Sequence, residues 1–166
     1  ADLLVLAANR TFDFPGIVTR CSNNYGPNQF PEKLVPKIIQ KALSNQKIPI
    51  YGDGSNVRDW IHVHDHCHAI YTTLEKGDAG EVYNFGGNME LSNLEIAKSI
   101  LDYLEKPYSL IEFIEDRPGH DFRYAVNSSK AEMNLGWTTS KKFKLGLQET
   151  IEWYLKNTDW LEARLS

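Results

Sequence analysis

The chain has no glycine-rich phosphate loop. Neither Gly-x-Gly-x-x-Gly nor Gly-x-x-Gly-x-x-Gly occurs in its 166 residues, so it lacks the backbone cradle that holds a dinucleotide pyrophosphate at a helix N-terminus. No tyrosine has a lysine four residues on, so a Tyr-x-x-x-Lys pair is missing too and the residues show no redox apparatus. Cysteine is scarce: Cys21 and Cys67 stand in unrelated contexts, which excludes a disulfide framework. No apolar run is long enough to cross a bilayer and no leader pattern occurs, so the expected compartment is the cytoplasm. Basic charge is also in short supply. Eighteen Lys and Arg face 22 Asp and Glu, a net charge of -4, which argues against a nucleic acid or a membrane as partner. Any anionic ligand must be met by cations gathered locally.

One such gathering is present. Asp116-Arg-Pro-Gly-His-Asp-Phe-Arg-Tyr-Ala125 sets two arginines, a histidine and two aspartates around a Pro-Gly turn. A turn that serves folding alone needs the Pro-Gly but not the cations beside it. Guanidinium forks and an imidazole suit phosphate oxygens; the same turn also reads as a solvated loop with surface ion pairs.

With 42% hydrophobic content the chain makes one ordinary domain able to bury a core. Apolar spacing and turn residues predict helices over 2–12, 34–44, 65–76, 92–104, 128–135 and 145–155, alternating with strands over 17–21, 48–51, 57–63, 81–85 and 110–114. Asp65 is the expected N-cap of one helix, and Ser92 with Glu95 forms a capping box on another. The first helix opens at Ala1 without a cap, from which we expect a piece of a longer protein.

Polar loops follow the strands, where open α/β sheets bind ligands. Asn23 and Asn24 offer amide donors and acceptors, although Asn-Asn before Tyr-Gly-Pro also reads as a turn. Tyr51, the Gly52 to Gly54 turn and Arg58 suit a base and a phosphate, unless Arg58 and Asp59 pair locally. Asn84 precedes Gly86-Gly87, which permits close approach of a ligand or simply ends a strand. His62, His64, His66 and His68 alternate, with His64 and His68 at i and i+4. Alternate residues across a strand-to-helix junction diverge and no second ligand cluster completes a tetrahedron, so no metal site is expected.

Several segments, in order, resemble the C-terminal half of the dTDP-glucose 4,6-dehydratase family of extended short-chain dehydrogenase/reductases. They are Asn23-Asn-Tyr-Gly-Pro27, Phe30-Pro-Glu-Lys-Leu-Val-Pro36, Pro49-Ile-Tyr-Gly-Asp-Gly54, Arg58-Asp-Trp60, Val82-Tyr-Asn-Phe-Gly-Gly87, Asp116 to Ala125, Leu135-Gly-Trp137 and Trp153-Tyr154. The resemblance implies an α/β fold, with residues 1–27 as the terminal elements of a Rossmann domain and 28–166 mainly a nucleotide-sugar-binding domain. It implies an NAD-dependent lyase that oxidises dTDP-glucose at C4, eliminates water across C5 and C6 and returns the hydride to C6. NAD would bind mainly in the missing N-terminal half, which would also carry the catalytic residues; the parent would be a homodimer.

Carried over by position, Asn23, Lys33, Leu34, Pro49, Ile50, Tyr51, Arg58, Asn84 and the turn Asp116, Arg117, Pro118, Gly119 and His120 would bind the dTDP-sugar. Asn24 would face the cofactor. The sequence departs from the family at Thr138-Thr139, where a proline is usual, and at His62 and His64. Asn-x-Tyr-Gly-Pro and Arg-Asp-aromatic are shared with UDP-sugar epimerases and decarboxylases, which stand as the alternative, beside a non-catalytic nucleotide-sugar-binding module.

Overall fold

The computed structural model describes residues 1–164. Its centre is strand β4 (Val57–His62), which changes partners along its length. The first half runs antiparallel to β6 (Glu90–Ser92) and parallel to β8 (Arg123–Tyr124); the second half, Trp60 to His62, runs parallel to β2 (Asn23–Tyr25). Two further parallel pairs flank it: β1 (Val18–Cys21) with β5 (Val82–Phe85), and β3 (Ile48–Tyr51) with β7 (Ile111–Ile114). Parallel pairs call for cover; the helices supply part of it, while β1 and β7 keep exposed residues.

Helix α2 (Leu34–Leu43) buries Val35, Ile38, Ile39 and Ala42, spaced three or four apart so that they form one stripe. Its Pro36 lies in the first turn, where a missing N–H costs nothing. Helix α4 (Asn93–Tyr103) turns Ile96, Ala97, Ile100 and Leu101 inward, and α6 (Phe143–Lys156) turns Leu147, Ile151 and Tyr154 inward. Together with β3 these helices enclose one core. A second core joins Ile61, Tyr83 and Phe85 to Ala69 of α3 (Val63–Lys76), to Ala131 and Leu135 of α5 (Ser129–Leu135), and to Trp137. This second core draws on residues well beyond position 27.

The capping box at the start of α4 forms as the sequence predicts: the Glu95 backbone N–H donates to Ser92 Oγ and the Ser92 N–H donates to the Glu95 carboxylate. The cap of α3 differs. The helix begins at Val63, and His62, not Asp65, caps it, with Nδ1 accepting from the His64 N–H at 3.3 Å. Asp65 is buried and employed elsewhere. Its carboxylate accepts from the Ser140 N–H and hydroxyl and from the Lys141 N–H, pinning the segment that follows Trp137. A neutral imidazole supplies the same lone pair that a capping carboxylate would.

Three strands were not expected. β2 falls where the sequence reads as a loop, and β6 and β8 are three and two residues long, too short to show alternation. Gly87 is a packing glycine: a Cβ there would lie 1.7 Å from the Trp60 carbonyl oxygen, so what approaches it is the chain's own backbone. The last long helix starts at Phe143, and α7 (Thr158–Glu162) follows it as a separate turn. Helix α1 (Asp2–Phe12) buries none of its residues, leaving Leu3, Leu4 and Phe12 exposed. Among the described residues no helix is long and apolar enough to cross a membrane.

Candidate functional site

Because β3 and β7 are parallel, the loops after Tyr51 and Ile114 leave the same edge, where α/β sheets place ligands. A cleft of about 290 Å³ opens there, lined by Asn23, Glu32, Lys33, Leu34, Lys37, Pro49, Ile50, Tyr51, Arg58, Trp60, Asn93, Arg117 and His120. Four of these are obligate cations and one is acidic, and the acid, Glu32, pairs with Lys33 at 2.7 Å. The first residues of two helices, Leu34 of α2 and Asn93 of α4, also line it, adding the positive ends of their dipoles. In a chain of net charge -4 this is a local cationic site. A groove of about 440 Å³ between β6, α4 and α6 is larger, but its lining is mostly apolar and its one cation is Lys144.

Four residues form a unit at the mouth. The Arg117 guanidinium lies 4.8 Å from the centre of the Tyr51 ring, in cation–π contact, and Tyr51 meets His120 edge-on at 6.2 Å. Arg117 Nη2 and His120 Nε2 are 3.0 Å apart, and His120 Nδ1 lies 2.7 Å from Asp116 Oδ1. A guanidinium only donates, so in this contact His120 Nε2 is the acceptor and Nδ1 donates to Asp116. The imidazole bond and the Arg117 backbone N–H hold the Asp116 carboxyl below its ordinary range. The turn that makes this possible runs from Arg117 to His120, closed by the His120 N–H on the Arg117 carbonyl, with Gly119 at φ +70°, a value that glycine reaches without steric cost.

The turn is anchored from β4. Arg58 donates through Nη1 to its neighbour's carbonyl, Val57, and through Nη2 to Asp121, and the Asn56 amide donates to the same Asp121 oxygen. Arg58 and Asp59 do not pair. Asp59 faces away, buried, accepting from the backbone N–H groups of Gly87 and Met89.

The cleft therefore collects Asn23, Lys33, Leu34, Pro49, Ile50, Tyr51, Arg58, Arg117 and His120, while Asp116 orients His120 and Pro118 and Gly119 make the turn. Two expected residues lie apart. Asn84 sits on β5, paired with Arg20, and does not line the cleft. Asn24 spends its amide inside the chain: Nδ2 donates to Cys21 Sγ and the Ser22 carbonyl, and Oδ1 meets His66 Nδ1 at 3.0 Å. Sequence reasoning missed Glu32, Lys37, Trp60 and Asn93. Lys37 was legible, standing four residues from Lys33 where a helix brings both to one face, as was Trp60, two from Arg58 on a strand. Asn93 carries no such signal.

The histidine run divides between core and surface, with the His62 and His64 rings stacked at 5.3 Å. His62 is buried against Tyr25, His66 holds Asn24, and His64 and His68 are exposed. Burial pushes both His62 and His66 below the usual histidine value. Among the described residues no three of His, Cys, Asp or Glu gather as a metal set.

A second polar feature lies at the carboxyl end of the β1–β5 pair. Ser22 Oγ and Asn84 Oδ1 are buried without a hydrogen-bond partner among the described residues. Orphaned polar atoms at that edge of a parallel sheet fit a bound group that completes them.

Residues 1–150 match the family described as GDP-mannose 4,6 dehydratase, and the chain belongs to that family. Within it, the chain is 48% identical over 169 residues to the dTDP-glucose 4,6-dehydratase of Shigella flexneri, covering 98% of this chain and 47% of that protein. The dTDP-glucose 4,6-dehydratase of Bacillus anthracis, solved in complex with NAD, is 50% identical, with a TM-score of 0.94 over 98% of this chain and 52% of that one. The Streptomyces venezuelae dTDP-glucose 4,6-dehydratase, solved with NAD and a dTDP ligand, is 43% identical with a TM-score of 0.96, covering 98% of this chain and 51% of that one. The fold is thus the Rossmann-type α/β fold of these enzymes. The chain spans about half the length of the curated relatives it matches.

Proposed function

We infer that this chain is the nucleotide-sugar-binding part of a dTDP-glucose 4,6-dehydratase, an NAD-dependent cytoplasmic lyase, and that it corresponds to the C-terminal half of a homodimeric parent. One observation carries the reading: Arg58, Arg117 and His120 converge with the Tyr51 ring on a single cleft of an otherwise acidic chain. A diphosphate is met by the two guanidinium groups, with the lysines of α2 beside them; a flat base is met by Tyr51 and the Pro49-Ile50 wall. Asn23, which lines the cleft beside Trp60, would contact the sugar.

Residues 1–27, with β5, α3 and α5 returning beside them, make up the terminal Rossmann elements, and the core around α2, α4 and α6 is the substrate domain. NAD, when bound, would supply the hydride chemistry, and in this chain Ser22 and Asn84, whose buried oxygens lie at the carboxyl end of the β1–β5 pair, would help to hold it. Asn24 serves there by holding the loop through Cys21 and His66. In the parent, the residues of this chain bind and orient the sugar nucleotide; the Tyr-x-x-x-Lys pair would come from outside it.

Competitive calorimetry with dTDP-glucose, UDP-glucose and GDP-mannose tests the reading. Preference for dTDP-glucose supports it. Preference for UDP-glucose favours an epimerase or decarboxylase, and no binding of any of the three contradicts it.

A further inference from the structure

The Asp116–His120–Arg117 chain leaves the imidazole with one lone pair, at Nε2, and that lone pair is occupied by an arginine. The same arginine is parked over Tyr51. The His120 contact occupies Nη2, so it must give way if Arg117 presents its Nη1/Nη2 fork to a diphosphate, whereas the ring contact leaves the edge donors free. His120 Nε2 then loses its donor and faces an anion with a lone pair, an arrangement of like poles. A proton on Nε2 resolves it: the ring becomes a donor to the phosphate, while Asp116 keeps the Nδ1 proton and balances the new charge.

We propose that binding of a sugar nucleotide to this cleft is coupled to uptake of one proton from solvent by His120, converting Nε2 from the acceptor of Arg117 into a donor to the diphosphate. The proposal rests on the nucleotide-sugar reading of the cleft and adds how the site is regulated. One bond forms, Nε2–H, and one breaks, that of the buffer acid to its proton. The proton comes from the buffer acid, and Arg117 exchanges its imidazole partner for a phosphate oxygen.

The surroundings of His120 favour this. Its side chain is 8% exposed, so water does not readily replace Arg117 at Nε2. The charged groups that face it are Asp116 and Arg117 from its own turn; Arg58 of β4 and Lys33, Lys37 and Glu32 at the start of α2 share the cleft. In the empty cleft those cations oppose a positive ring. A bound diphosphate neutralises them, leaving Asp116 as the group that decides the ring's charge. Uptake of a proton on binding links affinity to pH, with tighter binding as pH is lowered.

Calorimetric titration of the chain with dTDP-glucose, in three phosphate-free buffers of different ionisation enthalpy, reads the coupling. The diphosphate of a sugar nucleotide is a diester with no proton of its own to exchange near neutrality. We expect the observed enthalpy to vary linearly with buffer ionisation enthalpy, with a slope showing net uptake of a large fraction of one proton per ligand. His120→Gln should still bind, more weakly, with the slope abolished. Asp116→Asn should keep the ring but reduce the slope, because an amide does not balance the imidazolium. Binding with no buffer dependence in the wild type, or an unchanged slope in His120→Gln, overturns the proposal while leaving the nucleotide-sugar reading intact. No binding overturns both.

Discussion

The Arg58 guanidinium donates to the carbonyl of Asp121 at 2.8 Å across 63 residues of sequence. That bond joins the strand at the centre of the fold to the turn that carries Arg117 and His120. Arg58 therefore acts twice, as a cation in the cleft and as the anchor of the turn.

Its substitution should separate the two roles. Arg58→Ala loses both and should weaken dTDP binding about ten- to a hundredfold, as removal of one or more charge-assisted bonds worth roughly 1.5 to 3 kcal/mol predicts. Arg117→Ala should weaken binding by a similar amount without freeing the turn. Arg58→Lys keeps the charge but not the fork, so recovery should be partial. Calorimetry with dTDP checks all three; wild-type affinity in both alanine variants would make these arginines structural only.

Asp65→Ala should leave dTDP affinity nearly unchanged and lower stability. It strips partners from the Ser140 hydroxyl and from two backbone N–H groups around the buried Trp137, and unsatisfied groups of this kind cost about 2 to 4 kcal/mol together. Urea unfolding measures it. Burial pushes the Asp65 carboxyl up, but the bonds from Ser140 and Lys141 outweigh this and hold it below its ordinary value near 3.8. Its contribution is therefore complete above that value and is lost only as pH falls below it.

The histidines act in a different window. His62 and His66 sit below the usual histidine value of 6.5, chiefly through burial, so the unfolded chain binds protons first. Their stability contribution is full above that value and falls as pH drops through it toward the depressed folded values. At His62 protonation has a structural consequence as well, since a protonated Nδ1 cannot accept from the His64 N–H. The melting temperature should decline between about pH 7 and pH 5.5, and His62→Asn, which keeps a capping oxygen, should flatten the decline. An unchanged pH profile in that variant would show that His62 does not contribute.

The chain with added NAD should form no 4-keto sugar from dTDP-glucose, since it contains neither a Tyr-x-x-x-Lys pair nor a glycine-rich loop. The alkaline absorbance of the enone product reports this, and its appearance would place catalytic groups within these residues.

Much of this was legible in the sequence because the informative residues sit in local patterns. The spacing of Leu34, Ile38, Ile39, Ala42 and Leu43 announces α2, although Val35 is buried with Ile38, Ile39 and Ala42 and Leu34 and Leu43 are only partly buried; Ser92 with Glu95 announces α4, and Pro118-Gly119 between Arg117 and His120 announces a turn carrying cations. What was not legible is decided by distant partners. β2 is a strand because Trp60 to His62 lies beside it, and Asn23-Asn24 alone reads as a turn. Asp65 looks like a cap until Ser140, 75 residues away, claims its carboxylate. Asn24 and Asn84 look like ligand contacts of equal standing, yet one is satisfied by His66 while the other's Oδ1 is left buried without a partner among the described residues.

A crystal structure of the chain with dTDP tests the central claim most directly. The diphosphate is expected between Arg58 and Arg117, with His120 within hydrogen-bond distance of a phosphate oxygen, Arg117 withdrawn from His120 Nε2, and the base against Tyr51 and Pro49. A nucleotide bound outside this cleft, or one whose diphosphate touches neither arginine, would contradict the account.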